Sequence, residues 1–77
     1  MSPLNHEPEA LEWAIRKSGY TQAQVIEALA DRGVKLSKGL LSEMVKGTRN
    51  CRQPMLEEIA RVLNCPVVAL ERKRVAA

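Results

Sequence analysis

Phenylalanine is absent from this 77-residue sequence, which also holds a single Trp and a single Tyr. A core must therefore come from Leu, Val, Ile, Met and Ala, and a surface that stacks successive bases on aromatic rings has too few rings. Trp13, within the first helical segment, and Tyr20, just after it, are expected to pack in the core and at its rim. Histidine occurs once and cysteine twice. Cys51, Cys65 and His6 do not make four zinc ligands at finger-like spacing. The chain has no nucleophile beside an evident base, no glycine-rich phosphate loop and no acidic cluster suited to Mg²⁺. These shortages predict a protein that is not an enzyme, with no metal, no cofactor and no small-molecule ligand. Two cysteines do not form a disulfide framework, and no secretory apolar segment precedes them, so they are expected as reduced, half-buried thiols in the cytoplasm. No apolar run approaches the ~18 residues that a membrane span needs.

What remains has the make-up of one small folded domain, 45% hydrophobic and 27% charged. A chain of this length buries only about 60% of the surface its unfolded form exposes, so association with a second copy is a natural supplement. The net charge of +3 is unevenly placed. Residues 1–34 carry three basic and five acidic groups, residues 35–52 five and one, and residues 53–77 four and three. Lys35, Lys38, Lys46, Arg49 and Arg52 are interrupted only by Glu43, the local asymmetry of a phosphate-facing surface. A run of charge is more often a solvated face, so the placement of these residues must decide.

Five helices are expected, in an all-α domain over residues 8–72, with a flexible segment at 1–7 and a frayed tail at 73–77. Pro8 suits a first turn, and Leu11, Ala14, Ile15 and Ser18 share a stripe before Gly19, giving a helix over 8–18. Thr21 and Gln24 form a capping-box pattern ahead of Val25, Ala28 and Leu29, giving a second helix over 22–32 with Gly33 as its left-handed cap. Ser37 caps a third over 38–46, in which Leu40, Leu41, Met44 and Val45 form the apolar side and Gly47 ends the helix. Pro54 opens a fourth over 54–63 carrying Leu56, Ile59, Ala60 and Leu63. Pro66 starts a short fifth helix with Val67, Val68 and Leu70. His6 falls before all of these and is expected in solvent.

In this order the residues resemble the lambda-repressor-like, Cro-type helix-turn-helix DNA-binding domains, over about residues 10–72. The carriers are Gly19-Tyr20-Thr21-Gln22, Val25 and Leu29, Leu41-Ser42-Glu43-Met44, Lys46-Gly47-Thr48-Arg49-Asn50, then Pro54 with its apolar stripe and Asn64-Cys65-Pro66-Val67. The resemblance implies a compact five-helix fold, with Gln22 and the loop after the third helix as clamps on the DNA backbone. Two departures stand out. Between Leu29 and Leu36 this chain has about five more residues than family members usually use to turn, and Ile26 stands where the family favours Ala. A longer connection gives room for the larger side chain, and it leaves the angle of the third helix in a groove open.

A major groove admits one α-helix, whose outward side meets base edges while its inner side stays on the core. With the apolar residues inside, Lys38, Gly39, Ser42 and Glu43 are the expected base readers. Lys38 can donate to guanine, Ser42 can bond several edges or phosphate, and Glu43 can accept from the cytosine amino group. Gly39 lets backbone approach DNA closely. The bland alternatives are a tolerated glycine at 39 and, at 43, a surface acid that repels phosphate or pairs with Lys46. Phosphate contacts are assigned to Gln22, Lys46, Thr48, Arg49, Asn50 and Arg52.

The expected function is thus a sequence-specific regulator binding double-stranded DNA, of the small repressor kind found on phages and other mobile elements. An excisionase-like recombination accessory uses the same surface, and an antitoxin or other protein-interaction module is the reading from a different class. One module covers only about 600–1,000 Å² of DNA interface, so a homodimer is expected, joined through Val62, Val67, Val68 and Leu70.

Overall fold

The computed structural model describes residues 4–72, and the tail at 73–77 lies outside them. Four α-helices follow one another: α1 (Pro8–Ser18), α2 (Gln22–Asp31), α3 (Lys38–Lys46) and α4 (Gln53–Val62), and the described residues form no strand. The fifth helix expected from the sequence is a single 3-10 turn, Val67–Ala69.

The helix ends explain much of the path. At α2 the Thr21 hydroxyl accepts from the Gln24 N–H at 3.2 Å, and the Gln24 side chain accepts in return from the Thr21 N–H at 2.8 Å. At α3 the Ser37 hydroxyl accepts from the Leu40 N–H at 3.1 Å. Helix α2 closes as foreseen, with Gly33 at φ 79° and the Val34 N–H reaching back to the Leu29 carbonyl at 2.9 Å. From there residues 34–36 lead to α3, with Val34 and Leu36 packed against the core, so the long connection is fastened at both ends. Arg32 adds a pin to α4 through Glu58, 2.8 Å away. That hydrogen bond holds the Glu58 carboxyl below its ordinary value; burial opposes it, and the fields of Arg32 and Arg61 add smaller lowering effects.

Leu11 and Ile15 of α1, Val25 and Leu29 of α2, Leu41 and Met44 of α3, and Leu56, Ile59 and Ala60 of α4 meet in one core with Cys51, Leu63 and Leu70. Helix α1 packs on α3, and α2 packs on both α3 and α4. Leu40 and Val45, expected beside Leu41 and Met44, are only half-buried, and Ser18 is exposed with its hydroxyl donating to the Ile15 carbonyl at 2.7 Å.

The largest departure from expectation is at the start of the described chain. His6 is 1% exposed, not solvated, and its Nε2–H donates to the Met44 carbonyl at 2.8 Å, near the end of α3. Residues 5–7 pair with 70–72: the Glu7 N–H donates to the Leu70 carbonyl, the Arg72 N–H donates to the Asn5 carbonyl, and His6 and Glu71 form an antiparallel bridge. This strap also explains the missing fifth helix. The Leu70 carbonyl and the Arg72 N–H, which would have carried a helix onward, are committed to the strap, and β-branched Val67 and Val68 give a helix little intrinsic support. Residues 5–7, part of the segment expected to be flexible, are thereby tied down.

Trp13 is a second correction, because its indole is 67% exposed and does not enter the core; Tyr20 is also exposed. Two residues from both Leu11 and Ile15, Trp13 lies about 200° around α1 from the buried stripe. It flanks a cleft of about 440 Å³ between α1 and residues 63–70, whose walls include Ala14, Lys17, Cys65 and Pro66.

Candidate nucleic-acid interface

Helix α3 divides as its sequence pattern requires. Leu41 and Met44 are buried, Lys38, Gly39 and Lys46 are exposed, and Ser42 and Glu43 are half-exposed. The four expected base readers thus occupy the outward side of one nine-residue helix. Lys38 and Gly39 form its first turn, where the helix presents unpaired backbone N–H groups and the positive end of its dipole. A Cβ built on Gly39 would meet no atom within 4 Å, so packing inside the protein does not demand glycine there.

Gly47 is a different case. It closes α3 at φ 85°, and a Cβ on it would stand 3.0 Å from Pro8 of α1, so both backbone conformation and space favour glycine. The turn is consolidated by the Glu43 carbonyl, which accepts from the Thr48 N–H at 3.0 Å and from the Thr48 hydroxyl at 3.3 Å.

The six residues assigned to phosphate separate into two neighbourhoods. Gln22 and Lys46, with Ser42, line a cleft of about 750 Å³ whose other wall is α1 with Glu7, Glu9 and Glu12. Glu12 is paired with Arg16 at 2.9 Å. A phosphate entering that cleft would gain Lys46 and Gln22 but meet carboxylates, so the cleft is the less favourable route for a DNA backbone. Sequence reading placed no acidic wall beside Gln22, because α1 comes against α3 only through tertiary packing.

The second neighbourhood is the loop between α3 and α4, which carries Thr48, Arg49, Asn50 and Arg52. Besides Thr48, whose hydroxyl bonds the Glu43 carbonyl, two of these side chains already have charged or polar partners. Arg49 Nε lies 2.9 Å from Glu43 Oε2, which gives Glu43 a basic partner other than the Lys46 considered from sequence. The Asn50 Oδ1 accepts from the Asn5 N–H at 2.7 Å, while the Asn5 amide donates to the Cys51 carbonyl at 3.4 Å. With its oxygen held by the strap, Asn50 keeps its two amide N–H donors for another acceptor. Arg52 is exposed at the N-cap of α4. Asn5 and His6, which steady this loop and the end of α3, were missed from the sequence; lying before the first helical stripe, they carry no periodic signal.

The residues assigned to a dimer interface do not all remain available. Leu70 is fully buried inside the protomer, because the strap folds over it. Val62 and Val67 are half-buried against the same core, and Val68 alone of the four stands well out, 70% exposed.

Neither cysteine is in a disulfide; Cys51 is buried, and burial pushes its thiol up to about 11. Burial also raises the Cys65 thiol. Both are therefore poor nucleophiles at neutral pH. The described residues contain no helix long and apolar enough to cross a membrane and no cluster of potential metal ligands.

No protein-family profile, curated protein or solved structure matches this chain.

Proposed function

We propose that this protein is a non-catalytic, sequence-specific binder of double-stranded DNA, a small regulator of the lambda-repressor-like type that places α3 in the major groove. The observation that carries the reading is the exposed side of α3. Lys38, Gly39, Ser42 and Glu43 project from a helix capped at both ends and anchored by Leu41 and Met44, and a loop bearing Arg49, Asn50 and Arg52 follows directly. Base-edge readers on a fixed helix, beside donors for phosphate, are the two kinds of contact that a specific complex needs. The acidic wall of α1 argues for a backbone path along the loop side, with Arg49, Asn50 and Arg52 as its main contacts and Gln22 and Lys46 at the margin. Two copies on DNA, meeting around Val68 with Val62 and Val67 beside it, would supply the area that one module lacks.

A protein-interaction role is the second reading, and the exposed indole of Trp13 beside its cleft favours it. Salt separates the two. With roughly four phosphate contacts per protomer, a dimer on duplex DNA loses several decades of affinity between dilute and ~200 mM salt, at a slope near −0.9 per phosphate. Fluorescence anisotropy of labelled duplexes across that range measures it; a nearly flat titration rejects the DNA reading and leaves the surface around Trp13 as the site of action.

A further inference from the structure

The pair formed by Glu43 and Arg49 joins a residue that faces base edges to one that faces phosphate. We propose that Glu43 determines specificity by exchanging partners. In the free protein its carboxylate holds Arg49; on a target it yields Arg49 to a phosphate and takes the N4 amino group of a cytosine. The proposal rests on the DNA-binding reading given above and deepens it.

Three observations carry it. The ion pair is 2.9 Å long, yet both side chains are about half exposed, at 52% for Arg49 and 47% for Glu43. Such a pair is weakly held, and a phosphate that accepts two parallel N–H bonds competes well for the guanidinium. The backbone between the partners is fixed, because Gly47 turns it and the Thr48 N–H and hydroxyl both bond the Glu43 carbonyl. Arg49 thus passes from one acceptor to the other without remodelling the loop. Finally, Glu43 is the only acid among the residues from 35 to 52. Once Arg49 leaves, its carboxylate faces acceptor atoms and phosphates unless a base offers a donor. Cytosine N4 is such a donor in the major groove; adenine N6 also donates, but beside the N7 acceptor, and guanine O6 and N7 and thymine O4 repel a carboxylate.

Arg49 then contributes to specificity although it touches no base. On a wrong sequence the protein must either keep the pair and forgo a phosphate, or break it and leave a carboxylate unsatisfied. Competitors are rejected through this cost as well as by the favourable contact on the right site.

The test compares wild type, Glu43→Ala, Arg49→Ala and the double variant on a selected site, its single-base variants and an unrelated duplex. Alanine suits the interior of α3, and Glu43→Gln, which keeps the length and loses the charge, is the second variant should the first melt early. Partner exchange predicts that Glu43→Ala raises affinity for the unrelated duplex by about tenfold while changing the selected site by about threefold or less, so that discrimination disappears at one base pair per half-site. It further predicts that the tenfold gain shrinks to about threefold or less when Arg49 is already absent. Equal gains on every duplex, independent of Arg49, overturn the exchange while leaving the DNA reading intact. If wild type binds no duplex at all, the DNA reading and the exchange fall together.

Discussion

Gly39→Ala makes stability and binding move in opposite directions, which no purely structural role for this glycine would produce. In the free protein the new methyl group meets open space, since no atom lies within 4 Å of it, and Gly39 has no left-handed φ that would strain an L-residue. Glycine in the middle of a helix costs about 0.5–1 kcal/mol relative to alanine, and Gly39, in the first turn, falls at about the lower end of that range. At about 4–8 °C per kcal/mol for a domain of this size, the variant melts roughly 2–4 °C higher. If the first turn of α3 lies against the edges or backbone of DNA, the same methyl occupies space that the duplex needs, and affinity falls by about tenfold, some 1.4 kcal/mol. Thermal melts followed by circular dichroism and anisotropy titrations on one preparation read both quantities. A variant that is more stable and binds as well as wild type would refute the close approach, and one that is less stable would refute the structural premise.

Three further predictions bear on the strap, the core and the reading helix. His6→Ala removes a buried ring and its bond to the Met44 carbonyl, at a cost of about 2–4 kcal/mol in urea unfolding; a change below about 0.5 kcal/mol would show that the strap is not held as described. Cys51 has its thiol raised from 9.0 to about 11 in the fold, so the folded state holds the proton longer than the unfolded chain. Its contribution is therefore complete below pH ~9 and is lost as pH rises toward ~11, roughly 2–3 kcal/mol in all, and Cys51→Ala should flatten that alkaline decline; an unchanged pH profile in the variant would refute the assignment. Lys38→Ala should relax preference at one base pair per half-site at a cost of about 1–3 kcal/mol on the preferred site; a uniform loss across all single-base variants would place Lys38 on phosphate instead.

Local chemistry made much of the helical frame legible. Thr21 with Gln24, Ser37, Gly33 and Gly47 signal helix ends through bonds to their immediate neighbours, and the structure has them as caps. Leu41 and Met44, with Ser42 and Glu43 between them, gave the sidedness of α3 from spacing alone. What was not legible depends on segments far apart in the chain. Leu70 looks like a spare apolar residue until Glu7 pairs with its backbone, and His6 looks solvated until α3 offers it a carbonyl. Val67 and Val68 begin a helical turn that ends because the strap occupies the next residues. The pairing of Glu43 with Arg49 is of the same kind, since Lys46 is nearer in sequence and the turn at Gly47 is what brings Arg49 back.

Selection of bound fragments from a pool of random duplex DNA tests most directly whether α3 reads base sequence. The account predicts one enriched consensus made of two inverted half-sites, centred about 10 base pairs apart, one turn of the double helix. A pool that emerges from repeated rounds with no enriched sequence would contradict it.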